Sequence, residues 1–144
     1  MRLEFRILRL EFRIMEKNKK IESFTDLKVW KEAHKLVLMI YRITKKYPDE
    51  EKFCLVMQLR RAVISITSNI AEGFCRRGKK DKINFYNIAN SSLTEVQNQT
   101  IISSDLKYIN EDEYKNIWDQ TIVVQKLIFG LIKGAVGYNS THNS

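Results

Sequence analysis

The residues that could do chemistry in this sequence are mostly basic, and they cluster between Arg60 and Lys82. This segment carries seven basic residues against the two acids Glu72 and Asp81, a net charge of +5 (7 − 2) in a chain of +8. A local excess of positive charge attracts polyanions because the local field acts directly on phosphate groups. The candidate nucleic-acid contacts are therefore the bases that follow the predicted second helix: Arg76, Arg77, Lys79, Lys80 and Lys82.

A solvated helix end is the simpler interpretation of the same loop, because charged residues are common at helix ends. Lys79 and Lys80, however, fall at the start of the predicted third helix, where the helix dipole disfavours positive charge. This mild local conflict favours a function for the two lysines.

The sequence offers little for catalysis, for a metal or for a cofactor. Neither His34 nor His142 follows a glutamate at the Glu-x-x-His spacing of di-iron bundles. Cys54 and Cys75 lack the CxxC spacing of zinc and redox sites, and no glycine-rich phosphate loop is present. We therefore expect a non-enzymatic protein without metal or cofactor, in which His34 is a packing residue on the core face of its helix.

Four helical segments must position the basic residues. Apolar residues recur at spacings of three and four, and no segment alternates with the period of two that is typical of strands. Capping residues, Pro48 and late glycines predict four helices: from Thr25 or Asp26 to about Lys46, Asp49 to about Gly73, about Lys80 to Tyr108, and Asn110 to Gly134 or Gly137. We expect an all-α protein, an antiparallel up-down-up-down four-helix bundle over residues 21–137.

Residues 1–20 form a separate basic extension with a net charge of +4 (7 − 3). Its sequence RLEFRI occurs twice, at residues 2–7 and 9–14. One interpretation is a basic amphipathic arm that binds RNA or membrane; the other is translated upstream sequence, with Met15 as the natural start. We expect this extension to be disordered or a loosely attached helix, and residues 138–144 to be a flexible tail.

The remaining polar residues of the predicted second helix have structural interpretations. We expect Arg60 and Arg61 to bond acids of neighbouring helices, such as Glu95, or acids across a subunit interface. Asn69 and Glu72 would be polar groups on a largely buried helix, satisfied by each other or by another chain. The lack of a secretory signal and the unpaired cysteines predict a cytoplasmic location, and no long apolar run predicts a membrane partner.

Three stretches carry a resemblance to a known family: FTDLKVWKEAHKLV, QLRRAVISITSNIAEGF and SSLTEVQNQ. In order and spacing, from Phe24 to Ala135, the chain resembles the 23S ribosomal RNA intervening-sequence proteins. This family usually has a proline at the position of Thr67 and a tyrosine-glycine pair at Phe74-Cys75, so we expect a different helix bend and loop here.

The resemblance implies a four-helix bundle encoded within, or related to, insertions in bacterial 23S ribosomal RNA genes. It also implies homo-oligomeric rings, commonly pentamers. The motif residues that it marks as determining fold and assembly are Arg60, Arg61, Asn69, Glu72 and Glu95.

Three functional hypotheses remain open. The first is a homo-oligomer that binds RNA or DNA through phosphate contacts, in which a ring repeats a weak basic patch. The second is a protein-interaction scaffold, because a related branch resembles the accessory protein of diversity-generating retroelements, which binds a reverse transcriptase. The third is that the protein has no selected role beyond persisting with its insertion.

Overall fold

The computed structural model describes residues 2–18 and 20–137, with the backbone alone for 12–18. Its regular structure consists of five α-helices and two short 3-10 helices, Phe24–Asp26 and Asp49–Glu51. The α-helices are α1 (Arg2–Asn18), α2 (Lys28–Thr44), α3 (Leu55–Cys75), α4 (Lys79–Asp105) and α5 (Glu111–Gly137). The described residues contain no strand, and the all-α prediction is confirmed. The predicted tail and His142 lie outside the described residues.

Helices α2 to α5 build the core by packing in sequence order. Each helix contacts the next one along the chain, and α5 also contacts α2. The largest fully buried side chains come from all four helices: Leu36, Ile40, Leu59, Ile66, Ile70, Leu93, Ile117 and Ile128. Helix α1 contacts none of the other described elements.

The buried face of α2 differs from the prediction. Val29, Ala33, Leu36, Ile40 and Thr44 are buried, at spacings of three and four. This face is rotated away from the one that contains His34, whose side chain is exposed. The prediction that His34 packs in the core is therefore wrong, because the face that contains Ala33, Leu36 and Ile40 packs against the other helices.

Helix α3 starts later than predicted. Residues Asp49–Glu51 form a 3-10 helix, and the α-helix begins only at Leu55. The Glu51 carboxylate accepts a hydrogen bond of 3.2 Å from the Leu55 backbone N–H, which caps the first turn. Phe53 precedes the helix and is 75% exposed.

Gly73 lies inside α3 and does not end it. The helix continues to Cys75, and Gly73 is buried. A Cβ atom built at Gly73 would lie 2.5 Å from Cε1 of Tyr86 on α4. The glycine therefore permits the close approach of α3 and α4, and burial raises the pKa of the Tyr86 phenol at this contact.

The predicted start of the last helix is confirmed. The Asn110 side chain accepts a hydrogen bond of 2.8 Å from the Glu113 N–H, and the Glu113 carboxylate accepts one of 3.0 Å from the Asn110 N–H. These two bonds form a capping box. At the first predicted start, Ser23 and Asp26 form a capping box for the 3-10 helix, and α2 follows from Lys28.

Among the described helices, α5 alone has a length and composition that would suit a membrane span. Buried helices of soluble proteins share this property, so it is weak evidence for a membrane. The apolar residues Ile117, Val124 and Ile128 of α5 pack in the core, whereas Val123, Phe129 and Val136 are exposed.

Candidate nucleic-acid interface

The short connection between α3 and α4 gathers the basic residues at one end of the molecule. Only Arg76, Arg77 and Gly78 separate Cys75 from Lys79. Arg76 leaves the helix in an extended conformation, with its N–H bonded to the Gly73 carbonyl at 3.3 Å, and Gly78 is the N-cap of α4. The chain therefore presents Arg76, Arg77, Lys79 and Lys80 within five consecutive positions.

Arg76 is partly engaged by its own neighbours. Its Nη2 lies 3.5 Å from Oε2 of Glu72, one helical turn earlier, and its guanidinium lies 4.8 Å from the centroid of the Phe85 ring. The side chain is still 48% exposed. Arg76 thus has a preferred position on the surface and retains access to a phosphate.

Lys82 has a structural role that the sequence did not reveal. Its Nζ donates hydrogen bonds of 3.1 Å to the Gly73 carbonyl and 2.8 Å to the Phe74 carbonyl. These carbonyls belong to the last turn of α3, where a positive charge also favours the helix dipole. Of the candidate nucleic-acid contacts, Lys82 is therefore the least available to a phosphate, because its ammonium group already bonds two backbone carbonyls.

Arg77, Lys79 and Lys80 carry positive charge that forms no ion pair with an acid of the described residues. Arg77 and Lys80 are exposed and Lys79 is half-buried. In the described part of the chain, neither of the ion pairs involves any of these three residues. Their charge is available to an external anion.

Arg60 bonds α2 instead of the acid predicted for it. Its Nε donates a 3.0 Å hydrogen bond to Oγ1 of Thr44, and its guanidinium lies 4.5 Å from the centroid of the Tyr41 ring. Glu95 is exposed and makes no ion pair with Arg60 or Arg61 among the described residues. Arg60 therefore does not pair with Glu95 here, because it faces α2 and half-buries its planar group against an aromatic ring. The alternative, in which Arg60 and Arg61 bond acids across a subunit interface, stays a prediction.

Asn69 and Glu72 also have other partners than predicted. Asn69 Nδ2 donates to the Ser65 carbonyl at 2.7 Å and to Ser65 Oγ at 3.1 Å. Ser65 Oγ lies 2.7 Å from Ser92 Oγ, which connects α3 to α4. Glu72 is exposed and pairs with Arg76, so Asn69 and Glu72 do not satisfy each other here. The alternative, in which another chain satisfies them, stays a prediction.

Sequence reasoning missed a group of aromatic rings at the start of α2. Trp30 and His34 are stacked, with centroids 4.8 Å apart and planes 13° apart. Phe24 meets Trp30 edge to face at 5.5 Å. The four-residue spacing of Trp30 and His34 was the available signal, since residues at this spacing are neighbours on a helix surface.

The described residues show no arrangement typical of a metal centre. No group of three or more His, Cys, Asp or Glu side chains within them could hold a metal ion. Cys54 and Cys75 are both exposed free thiols.

Comparisons with known proteins place the chain in a family. The family model described as 23S rRNA-intervening sequence protein matches residues 25–130. The chain is similar to the crystal structure of a protein of unknown function from the S23 ribosomal protein family of Bacteroides thetaiotaomicron, with a TM-score of 0.68 and 26% identity over 73% of this chain and 95% of that chain. No similar sequence was found among curated proteins. This chain belongs to the 23S rRNA-intervening sequence protein family.

Proposed function

We propose that this protein is a non-enzymatic, homo-oligomeric four-helix bundle that binds RNA or DNA through phosphate contacts. The observation that supports this proposal most directly lies in the α3–α4 connection. There Arg77, Lys79 and Lys80 have no acidic partner among the described residues. Charge at such a loop binds phosphates by releasing counterions and needs no reading of bases.

The bundle architecture follows from the connections and contacts of α2 to α5. Each helix packs against its sequence neighbour, and α5 returns to α2. Short connections between long helices favour antiparallel neighbours. We infer an up-down-up-down arrangement, in which the α3–α4 loop lies at the same end as the start of α2.

A homo-oligomer would repeat the basic loop and multiply its weak affinity. Apolar side chains on the outer surfaces of α3 and α4 support self-association, since exposed apolar residues in number often mark interfaces. They are Met57, Ile64, Ile88, Ile101 and Ile102, each between 38% and 48% exposed. Light scattering should give a mass that is a multiple of the 17.1 kDa chain, and a single-chain mass would contradict the oligomer.

The test of nucleic-acid binding compares the wild-type chain with the triple loop variant Arg77→Glu/Lys79→Glu/Lys80→Glu. Binding to structured RNA and duplex DNA is measured at several salt concentrations. The variant should bind more weakly, and the slope of log affinity against log salt should shrink by about two to three, because three phosphate contacts are lost at each site. Glutamate at the start of α4 also suits the helix dipole, so the variant should fold.

A matched control reverses three exposed lysines far from the loop in sequence: Lys45→Glu/Lys52→Glu/Lys115→Glu. Both variants lower the net charge by the same amount, since each replaces three positive charges with negative ones. A loop-specific loss supports the proposal. Equal losses in both variants, or salt-independent binding by the wild type, would contradict it.

An interaction scaffold, such as an accessory subunit of a retroelement reverse transcriptase, is the second candidate. A shallow, open groove on the surface of α5, near its end, favours it, since the groove combines apolar and basic side chains: Lys126, Phe129, Gly130, Ile132, Lys133 and Val136. Phe129→Glu should abolish capture of such a protein partner while leaving salt-dependent nucleic-acid binding intact. Unchanged capture by the variant would exclude the groove as the docking site.

A further inference from the structure

An aromatic ladder stands at the start of α2, formed by Phe24, Trp30 and His34. Trp30 is half-buried against the core, and Phe24 supports it edge to face. His34 lies nearly parallel to Trp30 at a centroid distance of 4.8 Å and is exposed. The indole therefore fixes the orientation of the imidazole, whose other face is open to solvent.

Exposed lysines surround the ladder. Lys31 and Lys35 each follow a ladder residue by one position, and Lys28 begins the helix; all three are exposed. Residues that are four apart lie one turn above each other, so Lys31 and Lys35 form a basic row beside the row of rings. Neither of the ion pairs among the described residues involves these lysines.

The ladder and the α3–α4 loop lie at the same end of the molecule. Arg60, near the start of α3, contacts Tyr41 and Thr44, near the end of α2. The start of α2 is therefore directed toward the end of α3, and the 3-10 helix that contains Phe24 does contact α3. A strand bound at the loop could reach the ladder without crossing the molecule.

We propose that this ladder is a stacking platform for an unpaired base, so that the protein binds single-stranded nucleic acid in preference to duplex. The inference rests on the proposed nucleic-acid function and names its substrate class. A base stacks on the open face of His34 while Lys31 and Lys35 contact the flanking phosphates. Every base has a π face, so this mode needs no particular sequence, whereas bases within a duplex are already stacked on each other.

The experiment measures binding of an unstructured oligouridine, its deoxy counterpart and a hairpin duplex to His34→Leu and His34→Phe. The leucine removes the aromatic face and keeps an apolar side chain, whereas the phenylalanine keeps the face. We expect His34→Leu to bind both single strands about tenfold more weakly, with the hairpin unchanged, and His34→Phe to bind like the wild type. The two single-stranded probes separate RNA from DNA binding.

A second variant and a second measurement test the phosphate contacts and the base stacking separately. Lys31→Ala/Lys35→Ala leaves the rings in place and should weaken single-strand binding while flattening its salt dependence. A 2-aminopurine base in the single strand should lose fluorescence on binding to the wild type, because stacking quenches it, and should stay bright with His34→Leu. All variants must have the solution mass of the wild type.

The outcomes separate the two proposals. If the loop variant loses binding while His34→Leu binds single strands like the wild type, the platform is overturned and the phosphate-binding function stands. Equal losses of hairpin and single-strand binding in His34→Leu, or a phenylalanine variant as weak as the leucine variant, also overturn the platform. A wild-type chain that binds none of the probes overturns both.

Discussion

At the scale of single residues, Gly73 and Lys82 act together where α3 meets α4. Gly73 lets the Tyr86 ring approach the α3 backbone, and its carbonyl accepts a hydrogen bond from Lys82. The end of α3 is therefore held by packing on one side and by a charge-assisted bond on the other. The loop that follows carries the candidate phosphate contacts, so its position depends on these two residues.

Gly73→Ala should destabilise the protein, although alanine is the better helix former. The added Cβ would lie 2.5 Å from Cε1 and 2.8 Å from Cδ1 of Tyr86. We expect a loss of about 1–3 kcal/mol in the free energy of unfolding, because a buried ring must move. Urea denaturation measures this change.

Gly130→Ala is the matched control for that substitution. Gly130 lies in α5, and a Cβ built there meets nothing within 4 Å. It should stabilise the protein by about 0.5–1 kcal/mol through helix propensity alone. Stabilisation by both alanines would show that α4 does not need the glycine for its approach to α3.

Lys82→Met should reduce stability more than it reduces nucleic-acid binding. Methionine keeps an apolar stem but loses the hydrogen bonds to the Gly73 and Phe74 carbonyls, a cost of about 1 kcal/mol. Lys80→Met, at an exposed position, should change stability by less than about 0.5 kcal/mol and weaken binding instead. Denaturation and binding titrations measure both effects. If Lys82→Met weakened binding without lowering stability, Lys82 would instead be a nucleic-acid contact.

At the scale of elements, the first turn of α5 joins a helix cap to a contact with the turn that follows α2. The Glu113 carboxylate accepts the Asn110 N–H and forms an ion pair with Lys46. The hydrogen bond from Asn110 first, and the one from Lys46 second, hold the pKa of Glu113 below its ordinary value of 4.5. This single side chain therefore couples the α4–α5 connection to the end of α2.

The stability contributed by Glu113 should depend on pH. Because its pKa is lowered in the folded state, the unfolded chain binds the proton first as the pH falls. The contribution is present above about pH 4.5 and is lost as the pH falls through the lower folded pKa. Glu113→Gln keeps a side chain suited to the capping box but removes the charge, and should cost roughly 0.5 kcal/mol at pH 7.

Chemical denaturation of the wild type and Glu113→Gln between pH 3 and 7 checks this prediction. The difference in the free energy of unfolding should shrink toward pH 3. Glu111→Gln, in the same helical turn but exposed, provides the control for a general charge effect. A constant difference across the pH range would contradict the role of the Glu113 charge.

At the scale of the whole molecule, α1 stands apart from the core formed by α2 to α5. It contacts none of the other described elements, and its apolar side chains Leu3, Phe5 and Leu8 are between 60% and 75% exposed. A helix of this length is marginal in water without packing. That residues 1–20 are disordered or form a loosely attached helix in solution stays a prediction.

Removing residues 1–19 should leave the denaturation midpoint of the chain unchanged. The physical reason is that α1 contacts none of the other described elements, so its loss should remove little packing energy. Thermal and urea unfolding of the shortened and full-length chains measure the comparison. A lower midpoint in the shortened chain would show that α1 supports the fold in solution.

Much of the architecture could be predicted from the pattern of apolar residues and caps. The four core helices and the Asn110–Glu113 capping box follow from local spacing, because capping and helical periodicity act over three or four residues. The start of α3 was missed because a 3-10 helix satisfies the same local signals at Asp49–Glu51. Within α2 the sequence pattern placed His34 on the core face, and identifying the face that is buried required the neighbouring helices.

The sequence alone determined the helical class, the family and the concentration of bases after α3, because each is a property of residue type and spacing. The tertiary structure decided which of those basic residues bond other groups of the chain and which stay exposed. Lys82 bonds the carbonyls of α3, Arg76 is shared between Glu72 and Phe85, and Arg77 and Lys80 remain exposed. It also stacked His34 on Trp30, where the sequence predicted a core residue. Partners across helices and the choice of buried face depend on packing between distant segments, and no local pattern encodes them.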